Sequence, residues 1–152
     1  MSTLDALMKT HTRAAKARFR EDGALGPQRW LLENAEGVRT LFVLATDIDK
    51  DAVAALMRAA IKNYGAVRFA MAVEIWTAST DDPSDRRPPS EHPNRGEALF
   101  VYGEDVGGDQ QSVLMEIKRA PDGTPTLGRA AAPEVTDYQG RFANMFAVGP
   151  YN

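Results

Sequence analysis

Two groups of side chains in this 152-residue chain have the types and spacing to do chemistry. The first is Ser90-Glu91-His92-Pro93-Asn94-Arg95-Gly96-Glu97, where an imidazole, a guanidinium and two carboxylates share one short stretch. A histidine beside a carboxylate can act as a general base or bind a metal near neutral pH. An arginine can grip a carboxylate or phosphate through two parallel hydrogen bonds. Glu74 and Trp76 end the apolar run before this stretch, and Glu97 opens the run after it. If those two runs pair as strands, the connection folds back and can carry His92 and Arg95 over the face bearing Glu74 and Trp76. Glu74, Trp76, His92, Arg95 and Glu97 are therefore the candidate binding residues, suited to a small anionic ligand or a protein partner. The same residues also fit a structural part, with Arg95 bridging Glu74 or Glu97 while His92-Pro93 and Asn94 make the turn hydrogen bonds that pin the loop.

The second group is Asp105 with Met115-Glu116-Ile117-Lys118. An acid followed by Glu-x-Lys resembles the arrangement with which nucleases hold Mg²⁺, a chemistry that needs carboxylates within about 4 Å of one ion. Hairpin geometry argues against it. If the turn centres on Gly107-Gly108, Glu116 faces Leu99, Lys118 faces Glu97, and Asp105 stays at the turn near Gln110. Asp105 and Glu116 are then separated by on the order of 20 Å of ladder. The same register groups Val113, Met115 and Ile117 with Tyr102, Phe100 and Ala98, and makes Glu97 and Lys118 an ordinary cross-strand charge pair.

The remaining signals are weaker. His11 and His92 are too far apart in sequence to form a known zinc spacing, so no metal is expected. Gly103, Gly107 and Gly108 precede a strand rather than a helix N-terminus, so they do not cradle a phosphate and no cofactor is indicated. With no cysteine, thiolate sites, thiol nucleophiles and disulfides are excluded.

The elements that must position these groups follow from periodicity. Residues 2–20 read as an amphipathic helix capped by Ser2, with Asp5 three residues on, and stopped near Gly23. Leu4, Leu7, Met8, Ala15 and Phe19 form its apolar stripe together with His11. Lys9, Thr12, Arg13, Lys16 and Arg20 form the other face, whose basic character raises nucleic-acid contact as a third functional reading. Gln28 to Asn34 and Val38 to Ala45 are strand-like and joined by a turn at Ala35-Glu36-Gly37. Thr46-Asp47-Ile48-Asp49 opens a second helix, which runs to Gly65 with Val53, Leu56, Met57, Ala60 and Tyr64 on its buried face. Ala66 to Thr77 alternates as a strand, with Val67, Phe69, Met71, Val73 and Ile75 on one side. Residues 81–96 are a long Pro-rich loop, a connection of a length that often carries function. Residues 97–105 and 111–120 form a hairpin, 124–131 a last strand, and Phe142, Met145 and Phe146 dock the tail on the core.

The order α-β-β-α-β-β-β-β predicts a single α+β domain over residues 1–152. It is a two-layer sandwich in which two helices cover one face of a mainly antiparallel sheet of about six strands. Composition is globular, at 43% hydrophobic and 26% charged. A net charge of −3 argues against nucleic acid as a partner. The absence of an apolar leader or spanning run points to a cytoplasmic protein that does not contact membrane.

Four segments carry a resemblance: Arg18-Phe19-Arg20-Glu21-Asp22-Gly23, Trp30-Leu31-Leu32-Glu33-Asn34, Ala70-Met71-Ala72-Val73-Glu74-Ile75-Trp76, and Pro89 through Glu97. Together they resemble a group of small bacterial proteins of unassigned function, with phage origin as an open alternative. The likeness spans about residues 15 to 105. It implies no activity, cofactor or substrate, and adds weight only to the 74–97 surface. The expectation is thus a binding or protein-interaction module, with homodimerisation through a sheet edge or exposed aromatics in view. The alternative is a small hydrolase or metal-dependent enzyme using His92 with Glu74 or Glu97, and Arg95 as an anion clamp.

Overall fold

The computed structural model describes residues 2–45, 48–77, 84–87, 91–131 and 145–146. Its elements are α1 (Leu4–Asp22), β1 (Gln28–Asn34), β2 (Arg39–Leu44), α2 (Lys50–Asn63), β3 (Ala66–Thr77), β4 (Gly96–Asp105), β5 (Gln110–Arg119) and β6 (Pro125–Leu127). The strands form one six-stranded antiparallel sheet in the order β2-β1-β3-β4-β5-β6. The α+β class and the element order are those expected from the sequence.

Local chemistry sets the boundaries. Thr3, rather than Ser2, caps α1 by accepting the Ala6 N–H at 3.1 Å. Gly23 ends the helix at φ 77°, donating its N–H to the Phe19 carbonyl, a conformation glycine enters without strain. Asp49 caps α2 through the Ala52 N–H. In the β1–β2 turn, the Asn34 side chain accepts from both Glu36 and Val38 N–H groups, so a single amide folds the connection.

The helices divide between the two faces of the sheet instead of sharing one. Leu4, Leu7, Met8, Ala15 and Phe19 of α1 pack with Ala70, Ala72, Leu99, Val101, Met115 and Ile117. Val53, Met57, Ala60 and Ile61 of α2 pack with Trp30, Leu32, Phe69, Met71 and Tyr102 on the opposite side. Successive β3 residues thus serve opposite cores, and of the even positions that read as a mixed outer face Ala70 and Ala72 are closed over by α1. Met145 and Phe146 join the α2-side core, whereas Phe142 lies outside the described residues. Within α2 the buried stripe is Val53, Ala54, Met57, Ala60 and Ile61. Leu56 and Tyr64, expected inside, are about half exposed because the stripe centres on Met57 rather than between Leu56 and Met57.

The β4–β5 register differs by one residue from the expected one. Glu97 faces Ile117, Ala98 faces Glu116, Leu99 faces Met115 and Val101 faces Val113. The turn is the cause. Asp105 and Asp109 close it, with the Asp105 N–H on the Asp109 carbonyl and the Asp109 N–H on Asp105 Oδ1, so its centre is Gly107. A one-residue slip regroups side chains by face. Met115 and Ile117 accordingly share the α1 core with Leu99 and Val101, while Phe100 and Tyr102 lie with the α2 core.

α1 can lie close to the sheet because one strip beneath it carries almost no side chain. Ala70 faces Gly103 across the β3–β4 ladder, with Ala72 two residues on. A Cβ on Gly103 would fall 2.7 Å from Met8 Sδ and 2.7 Å from the Phe69 carbonyl oxygen. The methionine can move; the carbonyl belongs to the sheet and cannot. Gly103→Ala is expected to cost about 1–3 kcal/mol through overpacking. Urea denaturation will measure it, and a change within experimental error would show that α1 sits on a more yielding surface.

Candidate functional site

Four of the five expected residues meet where β3 and β4 run out beyond the C-terminus of α1. Trp76 and Glu97 are direct partners in the ladder, with Glu74 two residues away on the same face. Glu74 Oε1 accepts the Leu25 N–H at 3.0 Å, which fastens the chain leaving α1 to the sheet. Trp76 is 45% exposed. The Arg95 guanidinium lies over its ring, 4.9 Å from the centroid, within cation–π range. Glu97 is gripped by Arg119 through two bonds, Nε at 2.7 Å and Nη2 at 2.9 Å. Arg119 holds the Glu97 carboxyl below the usual range; burial opposes this and the Arg95 charge assists it.

Two sequence expectations change at this point. Arg95 stacks on Trp76 and, among the described residues, makes no ion pair with Glu74 or Glu97. The ion-pair partner of Glu97 is Arg119, not Lys118: the one-residue register shift sets Ile117 opposite Glu97 and brings Arg119, two residues on, to the same face. Arg119 was visible in the sequence as a basic residue near the strand end; only the turn geometry could have selected it over its neighbour.

His92 is the fifth residue, and its carboxylate partner is neither Glu74 nor Glu97. It is 6% exposed, and its Nε2 bonds Asp85 Oδ2 at 2.9 Å. Asp85 also receives the Arg87 backbone N–H at 3.0 Å, Arg87 Nε at 3.1 Å and Nη2 at 2.8 Å. Arg87, with His92 adding to it, holds the Asp85 carboxyl well below the usual range. The Arg95 N–H closes a turn on the His92 carbonyl at 3.2 Å. These bonds tie two stretches within the Pro-rich loop together, and Ser90 lies outside the described residues. His92 Nδ1 is buried without a hydrogen-bond partner.

Elsewhere the chemistry expected from sequence resolves plainly. Asp105 Oδ1 is used by the turn, and Glu116 stands opposite Ala98, which separates the two acids by about 23 Å of ladder. No shared metal ion can bridge that distance. Among the described residues, no three His, Asp or Glu side chains come together as a metal site. His11 is buried and donates Nε2–H to the Arg29 carbonyl at 3.1 Å; burial lowers its pKa, so it is held neutral. The basic face of α1 borders an open groove of about 490 Å³ between that helix and β5. No helix among the described residues is long and apolar enough to cross a membrane.

Sequence reading missed the buried carboxylate of Glu33, which is 1% exposed. Arg39 Nε donates to it at 2.6 Å and Arg68 Nη1 at 2.5 Å. Burial alone would raise its pKa, but the neighbouring Ser2 hydroxyl and the two guanidiniums together hold it lowered. The strand-like run from Gln28 to Asn34 gives no sign of this, since only the β1–β3 pairing brings Arg68 to Glu33.

Because the folded Glu33 pKa is lowered, its stabilising contribution is complete above its ordinary value of 4.5 and is lost as pH falls through the folded value. Glu33→Gln should therefore be less stable than wild type at neutral pH and show a flatter acid limb below about pH 4.5, measured by urea titration across pH. His92→Ala should cost about 1–3 kcal/mol, because it removes a hydrogen bond to a charged group and empties a buried ring site. A loss under about 0.5 kcal/mol in the same assay would show that the loop holds without this pin. The chain matches no protein-family model, no curated protein and no solved structure, so the functional reading rests on the residues themselves.

Proposed function

We propose that this protein is a cytoplasmic binding module that docks a protein partner on the surface formed by Glu74, Trp76, Arg95, Glu97 and Arg119. The observation that carries this reading is Trp76, a large aromatic left 45% exposed while Arg95 is stacked on it. Tryptophan and arginine are the residue types that dominate interface energetics, and they do so when held rigid within a frame of neighbouring contacts. Here the Glu97–Arg119 pair and the Glu74–Leu25 bond supply that frame. The balance of two acids and two arginines leaves the patch with little net charge, which suits a protein surface better than a free ion. A second copy of the chain is one such partner, meeting the patch about a two-fold axis.

The second reading, a small hydrolase or metal-dependent enzyme, is favoured by the Asp85–His92 pair. A carboxylate bonded to Nε2 orients the imidazole, although the remaining nitrogen, Nδ1, is buried and closed to a substrate in this structure, which ranks the enzyme second.

Sedimentation of the purified protein tests self-association, and a photo-crosslinker placed beside Trp76 tests capture of a different protein in cells. Trp76→Ala and Arg95→Ala should weaken the association about 30-fold or more, the scale of an interface hot spot, with little change in thermal stability. Retained association in both variants would move the interface elsewhere. Turnover abolished by His92→Asn in a folded protein would favour the enzyme instead.

A further inference from the structure

The function proposed above leaves unused the basic face of α1 and the groove beside it. Arg13, Lys16 and Arg20 stand on successive turns of one face of α1, and all three border the groove. Among the described residues none of the three makes an ion pair, although Lys9, one turn earlier, is tied to Asp5 at 3.0 Å. Asp5 also borders the groove, so its charge is already balanced by Lys9. Three cations in a row, without an ion pair among the described residues, repel one another, and this arrangement is stabilised when an anion lies along them.

The groove beneath these cations has an apolar floor. Met8, Val113 and Ala17 line it, with Met8 buried and Val113 partly buried in the α1 core. Its volume of about 490 Å³ falls within the usual range for small-molecule sites. From Arg13 to Arg20 the row extends about 10 Å at 1.5 Å per residue. That is the length of two or three linked phosphoryl groups and far short of the stripe that a nucleic acid follows. The net charge of −3 likewise disfavours a long polyanion.

We propose that the groove between α1 and β5 binds a small phosphorylated organic molecule of nucleoside di- or triphosphate type. Arg13, Lys16 and Arg20 take the phosphoryl groups, and the Met8–Ala17–Val113 floor takes the apolar ring. Arginine suits this task because its planar fork matches phosphate oxygens in pairs. The site faces β5 and is independent of the Trp76 surface.

Isothermal titration with ATP, tripolyphosphate, adenosine, a ten-residue single-stranded oligonucleotide and a polyglutamate peptide tests the assignment. ATP should bind, with affinity that falls as salt is raised. Tripolyphosphate should bind at least several-fold more weakly, and adenosine more weakly still. The variant R13A/K16A/R20A should lose at least ten-fold in ATP affinity with its melting temperature nearly unchanged. Amide resonances of residues 13, 16, 20 and 113 should shift when ATP is added to the wild type, a readout that does not depend on the variant folding. Absence of ATP binding, or binding that survives the triple substitution, overturns the proposal. Shifts confined to other residues do the same. Tripolyphosphate binding as tightly as ATP overturns the role given to the floor. An oligonucleotide or polyglutamate peptide binding much more tightly than ATP replaces the small ligand with a macromolecular one.

Discussion

The closeness of α1 to the sheet is the constraint from which most of this structure follows. Ala70, Ala72 and Gly103 present almost no side chain, so Leu4 and Met8 of α1 reach down to the backbone of the sheet there. From that position Met8, Ala15 and Phe19 fill the space to either side, and His11 reaches the carbonyl of Arg29. The chain leaving α1 at Gly23 emerges where Glu74 can take the Leu25 N–H. The surface around Trp76 thus exists because the helix stops there, and the groove toward β5 exists because the helix does not cover the whole sheet.

Much of the fold was legible in the sequence because period and turn chemistry are local. The α1 stripe, the alternation along β3 and the Ala35–Gly37 turn each depend on residues within a few positions of one another. What was not legible depends on closure between distant parts. The even residues of β3 read as a mixed outer face, since Ala70 and Ala72 are small and neutral and sit between Arg68 and Glu74; only contact with α1 reveals them as floor. The register of β4 on β5 turned on which residue centres the Asp105–Asp109 turn, a choice decided by two backbone bonds and one side-chain bond. That choice alone moved the partner of Glu97 from Lys118 to Arg119.

The candidate surface shows the same division. Nearness in sequence grouped His92 with Arg95 and Glu97, but a proline-containing turn sends His92 inward to Asp85 and Arg95 outward to Trp76. Two neighbours in one motif therefore serve different ends, one fastening the loop and the other dressing an exposed aromatic. Types and spacing identified the right stretch of chain, whereas the direction of each side chain was a property of the turn.

Glu104 gives the far end of the chain a consequence for the whole domain. Its carboxylate is 3% exposed on β4, where the Tyr102 hydroxyl and the Met145 N–H both donate to it. A backbone amide from a segment forty-one residues away is thus part of what makes an acid tolerable inside the core. A clip before Met145 would remove one of the donors that hold this side chain, and a buried polar group that loses a hydrogen bond is costly. Protease nicking of the tail would then be felt at the far end of β4, beside the Asp105–Asp109 turn that sets how β5 lies against it.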